Sequence, residues 1–302
     1  MKYRSILNAV QNTVWPIMPE KLEAICGFLE SAACGVPIDA ATVEKIAARN
    51  RDQRVSAMAG SVAVLPIYGT ISQRMDLMSE VSGGTSTDVL GREFDALMRD
   101  PDVSAVVFDI DSPGGNYYGT PELAERIRGA RGTKPIVAQV NSLAGSAAYW
   151  LATAADSIMV TPSGDVGSVG VLAVHYDMSA ANEEAGIQPT YIYSGKYKVE
   201  GNPDSPLDDE ARGEYQRRVD AAGDVFVAAV AKNRGTTPSN VRSNFGQGRV
   251  FAADEGVDRG MADRVQTMQE TISRLTSKSR SASARRQKAA AARRRLDLAG
   301  LS

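Results

Sequence analysis

Three short segments carry residue types that could do chemistry. They are Asp111-Ser112-Pro113-Gly114-Gly115, Ala144-Gly145-Ser146-Ala147-Ala148-Tyr149-Trp150, and Gly164-Asp165-Val166-Gly167-Ser168-Val169-Gly170. The first follows the apolar run VVFDI and the second follows IVAQVNS. Small residues let main-chain N–H groups come close to a reacting atom. Amides so placed can hold the negative charge that develops on a carbonyl oxygen during acyl transfer. Ser146 stands at a strand-to-helix transition, where the helix dipole favours an anion. It is a candidate nucleophile. It could equally be a plain N-cap, a position serine favours, and Ser-Pro-Gly-Gly is by itself a strong turn string.

A serine nucleophile needs a base. His175 is the only histidine, and it lies inside the apolar stretch VLAVHYD, where a packed strand residue is the simpler expectation. The other candidates are Lys196 and Lys198 in YIYSGKYKVEG. A lysine serves as a base only when desolvation or nearby positive charge lowers its pKa. Moving it from about 10.4 to about 7–8 takes roughly 4 kcal/mol. Bound peptide or a neighbouring subunit could supply that, and either lysine could instead be an exposed loop charge.

These residues need a framework. From Ser61 onward, short apolar runs alternate with helical patterns. The pattern predicts strands at Val62–Ile67, Val103–Ile110, Pro135–Val140, Ser157–Val160, Val169–His175 and Pro189–Tyr193. It predicts helices at Asp88–Arg99, Pro121–Arg131, about Ser146–Ala155, Met178–Ala185 and about Leu207–Asn233. The near-continuous Val/Ile/Ala runs suit strands covered on both faces. The alternation predicts an α/β fold with mostly parallel strands, whose ligands bind beyond the strand C-termini. Residues 1–60 read as a helical preface: Pro19-Glu20 opens one helix that Gly35 ends, and Asp39 caps a second. The Met- and Gly-rich stretch Ser72–Thr85 suits either an adaptable binding surface or an ordinary loop. Residues 236–265 form a last compact piece, and the ordered domain is expected to end near Ser273.

Composition narrows the classes. The 302 residues are 43% apolar and 23% charged, enough for a sizeable core. Cys26 and Cys34 are the only cysteines, which excludes a disulfide scaffold and a cysteine-rich zinc module. One histidine excludes a histidine-rich metal site, and no cofactor is implied. No apolar run approaches the roughly 18–20 residues of a membrane span, and amides interrupt any signal-peptide core after Lys2 and Arg4. A reducing cytoplasm is the expected compartment. Residues 274–302 hold nine Lys/Arg against Asp297 alone, a net of +8, so residues 1–273 carry −10 of the overall −2. This tail reads as a solvated low-complexity segment or an electrostatic arm. It lacks aromatics for base stacking, so specific nucleic-acid binding is not expected.

Taken in order, VLPIYGTI, VVFDIDSPGG, VNSLAGSAAYWLATAAD, GDVGSVGV, YIYSGKYKVEG and GRVFAADEGVDRGMADRV resemble the signal peptide peptidase A (protease IV) family of the ClpP/crotonase superfamily. The resemblance covers roughly residues 61–266. It implies a repeated ββα spiral fold, with the helical preface (1–60), the peptidase domain (61–273) and the basic tail (274–302) as separate parts. It implies a Ser–Lys dyad endopeptidase. By motif position Ser146 is the nucleophile, Lys198 the general base, Ser168 the residue that orients the lysine, and the amides of Gly115 and Ala147 the oxyanion donors. Gly114, Tyr149 and Gly167 are candidates for the substrate groove. Cellular members usually follow the serine with Gly-Gly where this chain has Ala147-Ala148, and many carry a membrane anchor.

The helical preface, the expected absence of an anchor and the basic tail are most similar to the phage head-maturation proteases. That likeness implies scaffold and capsid proteins as substrates, action inside a procapsid, and a tail that could be a cleavage target. Family members form rings in which serine and lysine can come from adjacent subunits, so a homo-oligomer is expected. A cellular remnant or quality-control peptidase, a crotonase-type acyl-CoA enzyme and a catalytically silent capsid protein are the alternatives.

Overall fold

The structure is a computed structural model that describes residues 10, 13–33, 57–74 and 84–278. The second preface helix, Cys34, most of the 72–85 loop and the tail beyond 278 lie outside the described residues.

The elements, in chain order, are α1 (Pro19–Ala33), β1 (Ala57–Ala59), β2 (Val62–Tyr68), β3 (Thr70–Ser72), β4 (Gly84–Ser86) and α2 (Thr87–Arg99). There follow β5 (Ala105–Ser112), α3 (Thr120–Gly129), β6 (Ile136–Gly145), α4 (Ala147–Thr153), β7 (Ser157–Val160), β8 (Asp165–Gly167) and α5 (Ser179–Glu184). The rest comprises α6 (Asp209–Arg234), α7 (Pro238–Asn244), β9 (Val250–Ala252), α8 (Ala253–Asp258), β10 (Arg264–Val265) and a closing helix α9 over 268–278.

The main sheet runs β1-β2-β5-β6-β7-β10. From β2 to β10 all pairings are parallel, and β1 is antiparallel to β2. This is the mixed α/β architecture that the strand–helix alternation predicts. Side chains alternate across a strand, and here both faces are covered. Ala63, Leu65, Ile67, Val106, Phe108, Ile110, Ile136, Ala138 and Val140 point into the large core beneath α2, α3, α4 and α6. Val62, Val107, Val137 and Met159 point the other way, where Leu275 and Met268 of α9 close over them. Packing therefore continues past residue 273 to this last helix.

Two expected strands are absent. Residues 169–175 form an extended segment with one isolated bridge, from Leu172 to Trp15. Residues 189–193 pair with nothing in the sheet, and Ile192 is 97% exposed. Both runs are apolar, but a strand needs a neighbour to satisfy its ladder, and the strand beside the end of β6 is the short 165–167 instead. As β8 it pairs with the end of β6 and with β9.

β6 explains much of the architecture around Ser146. Its first half, Val137–Val140, pairs with β7, and its last three residues, Leu143–Gly145, pair with β8. The strand splits the sheet and delivers its C-terminus into the gap. α4 starts there and is buried along its whole length. Trp150 of α4 stacks on Phe226 of α6, centroids 4.5 Å apart. Arg131 donates to the carbonyls of Thr153, Ala154 and Asn233. A cation on the last carbonyls complements the helix dipole, and here it also ties α4 to the end of α6.

Candidate active site

Ser146 links β6 to α4 with φ 54° and ψ −115°. A non-glycine residue in so sparsely populated a conformation stores about 1–3 kcal/mol of strain. The surroundings impose it: the Ser146 N–H donates to the Gly167 carbonyl at 2.8 Å, and its carbonyl accepts from Trp150 at 2.9 Å. Although Ser146 occupies the N-cap position, its side chain caps nothing. The hydroxyl donates instead to the Gly170 carbonyl at 3.3 Å. Helix capping therefore does not account for this serine.

The amides of Gly115 and Ala147 converge on a single point. Both donate to one carbonyl oxygen, that of Pro16, at 2.9 and 3.0 Å. The glycines before and at this point are required by space. Gly114 has φ 101°, and a Cβ there would lie 2.4 Å from the Pro16 oxygen and 2.9 Å from the Ser146 Cβ. A Cβ on Gly115 would lie 1.9 Å from the Ile71 carbonyl oxygen. Ser112 braces the turn, donating to the Gly69 carbonyl at 2.6 Å and accepting from Gly114 N–H at 3.2 Å. Gly167 has φ 140° and packs against the Arg249 carbonyl. Ser168 follows at φ 54°, buried, with its N–H on the Arg249 carbonyl at 2.7 Å.

Ser146, Ala147, Gly114, Gly115, Gly167 and Ser168 thus gather at one end of the sheet. Tyr149 does not line a groove. It is fully buried with its hydroxyl on the Met261 carbonyl at 2.9 Å, because the helical turn after Ser146 points it into the core. Lys198 lies on an exposed turn, its N–H on the Gly195 carbonyl, and no hydrogen bond joins it to Ser146 among the described residues. Lys196 is paired with Glu210 at 2.7 Å and with the Tyr197 hydroxyl at 3.1 Å, and those hydrogen bonds raise its pKa. A lysine held protonated cannot accept a proton. His175 is half-buried, outside any strand, and contacts the Asn202 carbonyl through Nε2 at 3.1 Å, so it is not the packed strand residue that the apolar run predicts.

One part of the site escaped the sequence. Residues 14–18 run through the cleft as an extended strap, a region expected to be plain helical preface. The available signal was the pair Pro16 and Pro19, since a residue before proline is pushed out of the helical region.

A serine at a strand–helix junction, with two amides converging beside it, can stabilise the tetrahedral intermediate of acyl transfer. The comparisons agree with that class. The model for Peptidase family S49 matches residues 129–281, and the chain belongs to this family. It is 36% identical over 234 residues to the head-tail preconnector protein GP5 of Enterobacteria phage P21, covering 78% of this chain and 46% of the relative. It is 33% identical over 222 residues to the capsid assembly protease C of Escherichia phage lambda, covering 74% of this chain and 50% of that one. It is 24% identical to protease 4 of Salmonella typhi over 216 residues, covering 71% and 34%. The chain spans about half the length of the two phage relatives.

Proposed function

We propose that this chain is a serine endopeptidase of the head-maturation kind, with Ser146 as nucleophile and Lys198 as general base. The substrates are scaffold and capsid proteins of a phage head, cleaved within the procapsid. Support for the substrate class comes from the two phage relatives, one of them a capsid assembly protease. Support for the chemistry rests on one observation above all: two main-chain amides meet on a carbonyl oxygen beside a serine whose hydroxyl is not used for capping. The spiral repeat of the ClpP/crotonase superfamily is the finer fold assignment.

In the mechanism, neutral Lys198 takes the proton of Ser146 Oγ as that oxygen attacks a peptide carbonyl. The carbonyl oxygen becomes an oxyanion between Gly115 and Ala147. Lys198 returns the proton to the leaving amine, and water then releases the acyl group from Ser146. Ser168 holds the amine in line. The lysine comes from a neighbouring subunit. Ile192 (97% exposed), Tyr193 (53%) and Tyr197 (55%) are exposed in the same segment as Lys198, a surface that a second copy would cover. Covering it would also desolvate the amine, which favours the neutral form. Among the described residues no helix is long and apolar enough to cross a membrane.

Ser146→Ala and Lys198→Arg should each reduce casein or scaffold cleavage to background while leaving circular dichroism unchanged. Arginine fails because it does not deprotonate near neutral pH. Cleavage retained by purified Ser146→Ala would overturn the assignment.

A further inference from the structure

We propose that residues Val14–Met18 are an intramolecular pseudosubstrate, so that the peptide cleft is closed by the chain itself until this strap leaves. This rests on the catalytic assignment above.

The strap makes the contacts that a peptide substrate needs, on both sides of the reacting position. Before it, Trp15 N–H donates to the Leu172 carbonyl at 2.8 Å and Leu172 N–H returns a bond to Trp15 at 3.0 Å. Tyr117 N–H reaches the Val14 carbonyl at 3.2 Å. At the reacting position the Pro16 carbonyl oxygen takes both converging amides. Beyond it, Met18 N–H donates to the Pro113 carbonyl at 3.0 Å, and the Met18 side chain lies against Gly145. The bond from Pro16 to Ile17 therefore stands where a scissile bond would stand. The segment that was expected as a sheet strand, 169–175, serves as the wall on which this strap pairs.

Two features make it a stopper rather than a good substrate. Proline has no N–H to offer the cleft. Both sides of the bond are also anchored in one apolar cluster. Trp15 and Ile17 are buried with Leu22, Ile25 and Cys26 of α1, and Leu172, Val174 and Tyr176 pack against them. After any attack on Pro16, the amine of Ile17 would stay beside the ester. At the high effective concentration of a tethered group, the peptide bond re-forms. The chemistry that opens the cleft is thus a competing extended peptide, one with an apolar residue to take the Trp15 position.

The test reads the full chain by amide hydrogen exchange at Gly115 and Ala147, and by the rate at which a fluorophosphonate probe labels Ser146. Trp15→Ala should speed exchange at both amides and labelling by about tenfold or more, and Trp15→Phe should leave both near the wild-type rate. Trp15 and Leu172 are a hydrogen-bonded antiparallel pair; in such pairs the Cα atoms lie about 5.5 Å apart, inside the Cα range of a disulfide. With Cys26→Ala and Cys34→Ala in place, Trp15→Cys with Leu172→Cys should give slow exchange and labelling when oxidised and fast when reduced. This pair keeps the test valid if Trp15→Ala does not fold. Equal exchange in oxidised and reduced protein overturns the strap. So does recovery of wild-type protein cut between Pro16 and Ile17. Labelling that persists in Ser146→Ala, or fails in every variant while exchange still responds to the strap, overturns the catalytic assignment instead.

Discussion

The hydrogen bonds of Ser146 and the glycines around it hold this serine in a conformation that its own preferences oppose. The strain is balanced by hydrogen bonds to Gly167 and Trp150 and by close packing on Gly114. Gly115 is the position at which one added methyl group reports on this balance. A Cβ there meets the oxygen, nitrogen and carbonyl carbon of Ile71, all backbone and unable to yield cheaply. Gly115→Ala should displace its amide from the convergence point and lower kcat by about 10²–10³, the usual cost of an oxyanion donor. Steady-state kinetics on a peptide substrate would check it. Lys196→Ala should keep activity within about twofold in the same assay, because that amine is committed to Glu210 and Tyr197, and exposed pairs of this kind contribute little.

Among the elements, β7, β10 and α6 are joined by one carboxylate. Asp263 accepts from Ile158 N–H at 2.7 Å and from two nitrogens of Arg234 at 2.9 and 3.1 Å. Burial pushes its pKa up, but the Arg234 and Ile158 hydrogen bonds, with the charges of Arg234 and Arg131, together pull it below the usual aspartate value. A carboxyl with a lowered folded-state pKa adds stability above its unfolded value, and that stability fades as pH falls through the folded value. Asp263→Asn should therefore cost about 1–2 kcal/mol at pH 7, allowing for its part exposure. The difference from wild type should shrink steadily once the pH drops below about 4. Urea unfolding at pH 7 and at pH 3 would measure both values. A constant difference would mean that the hydrogen bonds, not the charge, carry the effect.

At the scale of the whole molecule, the described chain brings Ser146 and the two converging amides together but leaves Lys198 on an exposed turn. If the dyad forms between copies, the contact is head-to-tail, and repeated copies form a ring where the rotation between neighbours closes. Two measurements follow. Ile192→Asp places a charge on the most exposed apolar side chain of the segment that carries Lys198. It should shift the protein to monomer in analytical ultracentrifugation and abolish cleavage together. Mixing inactive Ser146→Ala with inactive Lys198→Arg and allowing subunits to exchange should restore a measurable fraction of activity, because one copy lends its lysine to the other's serine. No recovery from an exchanged mixture would place both groups in one chain.

Local patterns in the sequence were enough for the parallel α/β core and the strand ends that carry glycine. The alternation of apolar runs with helical spacing leaves few other ways to bury Val62–Ile67, Val103–Ile110 and Ser157–Val160. The motifs around Ser146 and Gly115 were legible for the same reason, since close backbone approach tolerates only small residues. What local pattern could not reveal depended on partners distant in the chain. Whether 169–175 becomes a strand is decided by which backbone lies beside it, and that backbone belongs to Trp15. Whether Tyr149 faces a groove or the core is decided by the turn of α4 under α6. The Val14–Met18 strap is the extreme case: its role comes from a meeting between residues about 95 to 157 positions apart, and hydrogen bonds between distant backbone groups leave no mark on either segment's composition.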